Sequence, residues 1–194
     1  MYKTMLSLAR LMAVLGGIVL SLLVVLTCAS IAGRILNGLL HSNFMQSVAP
    51  GFSDWAIGTG IGPVNGDYEL VEAGVAFAIF AFLPLCQITA GHASVDILTN
   101  AFSARVNRFL RMLTDVLFGA VLVLISVQLF KGTVSKFDNS ETSLLLEFPI
   151  WWAYGASFLA SVTAAILGVY MAGVRIVEFV TRRMLVQDGV ETVH

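Results

Sequence analysis

The chain has 194 residues, of which 58% are hydrophobic and only 12% charged, and its formal net charge is −1. A soluble domain carries about 25% charged residues, so this chain lacks the polar side chains to cover a globular surface. Its near-neutral charge gives no basis for a nucleic-acid partner.

Four apolar runs, at 11–33, 70–90, 113–134 and 150–174, each reach the roughly 20 residues that cross a hydrocarbon core about 30 Å thick. Backbone in lipid must satisfy its own polar groups as helices or a closed barrel. Barrel strands are shorter and alternate in polarity, so the runs predict helices.

The first run follows Lys3 and Arg10, and Ser30-Ile31-Ala32 offers small residues of the kind found at a signal cleavage site. Its apolar stretch is longer than the ~7–15 residues of a signal-peptide core. It is therefore expected to remain as a membrane helix. Ala13, Gly16 and Gly17 would let another helix approach closely, whether internal or from a partner. Cys28 lies in this run and Cys86 in the second, and no C-x-x-C pair occurs. Both cysteines read as small hydrophobes rather than as redox or zinc ligands.

The connection at 34–69 is long. In its first part Ile35, Leu36, Leu39, Leu40, Phe44 and Val48 fall near one helical face, which predicts a surface helix over 35–48. The second part, 49–67, is rich in Gly and Pro and reads as irregular loop. Phe52 and Trp55 there are expected to be interfacial anchors, with a docking patch as the other reading. At the start of the second run, Glu69 and Glu72 complement the positive end of the helix dipole. Glu72 also has a partner-contact and a transport-coupling reading, as any intramembrane acid does. Pro84 is a potential kink, and Gln87 and Gln128 can bond across helices.

The segment 91–112 reads as an amphipathic connection, with Ser94 capping a short helix. Arg105, Arg108 and Arg111 recur every third residue and share a face, while Val106, Phe109 and Leu110 take the other. Lipid phosphate is the expected contact of the arginines, and a protein partner is the alternative. Asp115 is expected to pair with Arg111, four residues before it. Before the fourth run, Pro149 suits a helix start, and Trp151, Trp152 and Tyr154 form an interfacial aromatic belt.

Charge placement orients the spans. Eight basic residues (Lys3, Arg10, Arg105, Arg108, Arg111, Arg175, Arg182, Arg183) fall on one side and three (Arg34, Lys131, Lys136) on the other. The positive-inside rule puts the eight, with both termini, in the cytoplasm. The expected fold is one all-α integral membrane domain: four transmembrane helices plus short amphipathic interfacial helices.

The spans are poor in chemistry. A four-helix haem protein pairs histidines across its core, but His41, His92 and His194 all lie outside the runs. Discontinuous helix pairs, which build transporter substrate sites, are not evident. No enzyme class is indicated.

Two segments narrow the family. One is Gly91-His92-Ala93-Ser94-Val95-Asp96-Ile97-Leu98. The other is Thr142-Ser143, then Leu146, then Phe148-Pro149-Ile150-Trp151-Trp152-Ala153-Tyr154. Their order and their placement on four spans resemble the small membrane subunit of the tripartite ATP-independent periplasmic (TRAP) transporters. Arg34, Asn37 and Glu69 also sit where that family tends to have Arg, Asn and Glu. The likeness runs from Arg34 to about Arg175. Leu144 stands where the family often has proline, and Glu147 where it often has glycine.

The resemblance implies a small permease subunit that binds no cofactor itself. Its partners would be a large permease subunit, which carries the sodium and substrate sites, a periplasmic substrate-binding protein that delivers an organic acid, and membrane lipid. Arg34, Glu69, Glu72, His92, Asp96, Pro149, Trp151, Trp152 and Tyr154 would then be partner-contact or motif residues. A membrane-anchor subunit of a redox complex and an independent small channel are the alternatives.

Overall fold

The computed structural model describes residues 2–89 and 104–181, and every statement below concerns these. The helices are α1 (Tyr2–Leu40), α2 (Asn43–Val48), α3 (Pro50–Gly58), α4 (Asp67–Ile88), α5 (Ala104–Asp138) and α6 (Trp151–Thr181). Four of them, α1, α4, α5 and α6, are long and apolar enough to cross a membrane. The chain is an all-α, multi-pass membrane protein.

Helix ends differ from expectation in two places. First, α1 has 39 residues, about 58 Å at 1.5 Å per residue, nearly twice a hydrocarbon core. No proline occurs before Pro50, so Ile35, Leu36, Leu39 and Leu40 simply prolong α1 instead of opening a separate surface helix. The break comes at His41-Ser42, where the Ser42 hydroxyl accepts from the Met45 N–H at 3.3 Å and caps α2. The stretch expected to be irregular contains α3. Pro50 starts that helix, because a first-turn proline loses no needed N–H. Ser53 Oγ donates to the Leu40 carbonyl at 2.6 Å and ties α3 to the end of α1.

Second, Arg105, Arg108 and Arg111 do not sit on a connection apart from the third span. They occupy the first two turns of α5, which runs unbroken for 35 residues. Proline-free sequence from 104 to 138 gives the helix no reason to stop at the membrane edge. His92, Ser94 and Asp96 lie outside the described residues.

The spans pack in the order α5, α6, α4, α1, with only slight contact between α1 and α6. Small residues make this possible. The α6 stripe of Ser157, Ala160, Ser161, Ala164, Ala165 and Gly168 is buried. A Cβ on Gly119 of α5 would lie 3.1 Å from the Gly168 carbonyl oxygen, so these two backbones nearly touch. A Cβ on Gly16 of α1 would lie 3.1 Å from the Ala81 Cβ of α4, so Gly16 serves an internal neighbour. Gly17 faces open space. Helices α1 and α5 are left at the edges with exposed Leu, Ile and Val along most of their length. Such surface is stable in lipid or against another apolar protein and aggregates in water. Cys28 is exposed, Cys86 half-buried, and both are free thiols.

Candidate functional site

The end of the molecule where α1 finishes and α4 and α6 begin carries a tight polar clasp. It starts at Ser30 of α1, fully buried, whose Oγ donates to Asp67 Oδ2 at 2.6 Å and accepts from the Val64 N–H at 3.2 Å. One turn on, Gly33 meets the incoming linker. A Cβ there would lie 2.1 Å from the Gly62 carbonyl oxygen, so only glycine fits. The linker then turns through Gly66, at φ +75°, into α4. A side chain at Gly66 would strike Leu146.

Glu69 is the centre of the clasp. It is 7% exposed, and its carboxylate collects three successive backbone N–H groups of the loop between α5 and α6. Oε1 accepts from Leu144 and Leu145, both at 2.9 Å, and Oε2 from Leu146 at 3.1 Å. Charge-assisted bonds of this kind are about twice as strong as neutral ones. A residue expected to complement its own helix dipole or to contact a partner anchors a loop 75 positions away.

The loop is also closed on itself. Thr142 and Pro149 form an isolated antiparallel bridge, Ser143 N–H donates to Phe148 O at 2.9 Å, and Ile150 N–H to Glu141 O at 3.0 Å. Lys136 pairs with Glu141, and Asn139 Nδ2 donates to the same carboxylate. The Lys136 bond, then that from Asn139, holds the Glu141 carboxyl below its ordinary value of 4.5. A depressed carboxylate contributes order above the ordinary value and loses it as pH falls through the lowered one. Trp151 packs edge-on to Phe137 beside this pair. Its fluorescence is expected to stay flat from pH 8 to about 5 and to change only below 4.5, and Glu141→Gln should abolish that step.

Glu147 closes the loop at φ +52°. A left-handed backbone costs an ordinary side chain about 1–2 kcal/mol, partly offset by the greater entropy loss of glycine. Glu147→Gly is expected to raise stability by about 0.5–1 kcal/mol in detergent unfolding. The position where glycine was missing from the motif is therefore one where the backbone calls for it.

Pro149, Trp151 and Tyr154 join the clasp from the start of α6. Tyr154 covers Gly132 of α5, where a Cβ would lie 3.1 Å from its ring. Trp152 is 58% exposed and stacks edge-on against Trp151. Arg34 is exposed on α1, near enough for its charge to act on Asp67. Glu72 is exposed one turn beyond Glu69, and no hydrogen bond or ion pair is seen for it among the described residues.

The opposite end holds a second polar knot. Arg175 of α6, 6% exposed, donates through Nε to Asp115 Oδ2 at 3.0 Å and through Nη1 to Glu178 Oε2 at 2.8 Å. Gln87 of α4 donates to Asp115 Oδ1 at 3.2 Å. Asp115, expected to pair along its own helix with Arg111, also reaches across and binds α4, α5 and α6 together. The signal for Arg175 and Glu178 was their i, i+3 spacing in a late helical turn, which alone reads as a solvated pair.

The buried charges of both sites are spent on backbone amides or on each other. Among the described residues no three His, Cys, Asp or Glu side chains gather to hold a metal ion. The arrangement locks helices and a loop together, and it presents Leu144, 87% exposed, and Leu145 at its tip.

Comparison with known proteins fits this picture. No curated protein and no solved structure matches the chain. The family model described as "Tripartite ATP-independent periplasmic transporters, DctQ component" matches residues 23–181, which include both polar sites. Members of that family are transporter components, not enzymes, and work with a large permease and a periplasmic binding protein. The chain belongs to this family: it is a small permease component of a TRAP transporter of the inner membrane.

Proposed function

We propose that this chain is a static scaffold for the large permease subunit during sodium-coupled uptake of an organic acid. Sodium and substrate sites lie in that partner. Both termini face the cytoplasm, which turns the clasp toward the periplasm and puts Arg105, Arg108 and Arg111 at cytoplasmic lipid phosphate. The observation that carries this reading is the use of Glu69. The most buried acid of the clasp is committed to three loop amides and so serves shape rather than transport. Long apolar edges on α1 and α5 supply surface for a membrane partner.

Arg34, Glu72, His92 and Asp96 act in this account through subunit contact or local capping. Alanine at each is expected to lower the yield of assembled complex while leaving the sodium-to-substrate ratio of the remaining transport unchanged. Loss of sodium coupling with assembly intact, at any of the four, would refute the scaffold role.

A further inference from the structure

We propose that the groove between α5 and α6 is a binding site for one phospholipid with a primary-amine, zwitterionic headgroup, in the leaflet at the clasp end. The groove measures about 540 Å³ and is walled by Val123, Val127 and Phe130 of α5 and by Phe158, Val162 and Val169 of α6. Phe130 also borders a second recess of about 370 Å³, formed with Lys131, Val134, Ser135, Asp138 and Asn139, which brings charged and polar groups to the end of the groove. The two recesses make one stripe along α5, apolar over 123–130 and carrying Lys131, Ser135, Asp138 and Asn139 over 131–139.

Three properties select a lipid as the occupant. The first is length. Sixteen residues of helix rise about 24 Å, close to one leaflet of a bilayer about 40–45 Å thick including headgroups. The second is where the groove ends. At Val123 and Val169 it opens onto apolar surface that continues along the helices, but at its other end it gives way to Lys131 and Asp138, charges that the apolar face of a spanning partner helix would leave unmatched. The third is charge order. Lys131 and Asp138 lie two turns, about 10 Å, apart on this stripe, with the cation deeper. A lipid phosphate also lies deeper than its terminal ammonium. Lys131 can donate to the phosphate, and Asp138 can accept from the ammonium, with Ser135 and Asn139 beside them. A quaternary ammonium has no N–H to give Asp138, and an anionic glycerol headgroup offers it no cation.

The test is native mass spectrometry of the purified full chain, together with its large permease subunit where the two co-purify. It is exchanged in turn with phosphatidylethanolamine, phosphatidylcholine and phosphatidylglycerol. One phosphatidylethanolamine should be retained in preference to the other two. Lys131→Glu, an exposed change that leaves the packing alone, should cut retention about tenfold or more, the scale of a lost charge-assisted bond. Val162→Trp, which fills the groove, should do the same with helical circular dichroism unchanged. Asp138→Asn should erase the preference over phosphatidylglycerol. Equal retention of the three lipids, or full retention by Lys131→Glu, overturns the proposal. So does efficient cross-linking of a cysteine at 162 to the large permease subunit, which would put a protein helix in the groove.

Discussion

Replacing Arg175 by methionine is expected to destabilise the helix bundle by about 3–5 kcal/mol, the usual cost of removing one partner from a buried ion pair. The reason is geometric. Arg175 is 6% exposed and answers two carboxylates on two helices, Asp115 and Glu178. Without the guanidinium, both acids lose the cation they share at the end of the bundle where α4, α5 and α6 meet, and removing that buried countercharge is expensive. Lysine should rescue poorly, because its single ammonium cannot serve two directions as a planar fork does. The triple change Arg175→Met, Asp115→Leu, Glu178→Leu should recover most of the loss, since a buried charge network is often replaceable by apolar side chains of similar volume. Reversible unfolding in mixed micelles measures all three. A loss under about 1 kcal/mol for Arg175→Met would mean that water reaches the knot freely.

Replacing Glu69 by glutamine should act at the other end and in a different way. The amide has one acceptor oxygen where the carboxylate has two, and its NH₂ group would face backbone N–H donors. At least one of the amides of Leu144, Leu145 and Leu146 is then left to water. Hydrogen exchange at these three positions is expected to speed up by about tenfold or more, the scale of a lost bond to a charged acceptor, while exchange in the α6 stripe around Ala164 stays unchanged. Because the loop forms the shoulder that carries Leu144, the yield of assembled transporter should fall with it. Unchanged exchange at Leu144–Leu146 would show that the loop holds its shape through the Thr142–Pro149 bridge alone.

Hydropathy made the four spans legible, because a helix that crosses the hydrocarbon core needs about 20 consecutive apolar residues. Their ends were less so. Arg34 looked like a boundary, yet nothing in 34–40 breaks a helix, and α1 continues to Leu40. Pro50 looked like a loop marker, yet a proline in the first turn starts α3. The site was half legible. Glu69, Pro149, Trp151 and Tyr154 stood out in the sequence and the fold brings them to one end. What joins them was hidden, because a carboxylate that receives backbone N–H groups leaves no mark on the residues it binds. Leu144, Leu145 and Leu146 could carry many side chains and still donate. The same holds for Ser30, a small residue in an apolar run, and for Gly33, whose need for glycine depends on Gly62, far along the chain. For Asp115 the sequence points to Arg111, four residues away, and the packing of α5 on α6 adds Arg175, which no local spacing reveals.

The most direct test of the scaffold account is stoichiometric co-purification. The chain is tagged at one terminus, extracted from bacterial inner membranes in mild detergent, and its partners are weighed. The account predicts a one-to-one complex with a large multi-span permease, whose substrate uptake is lost when this chain is deleted. A stable chain that runs free of any permease, in cells where its deletion leaves uptake unchanged, would contradict it.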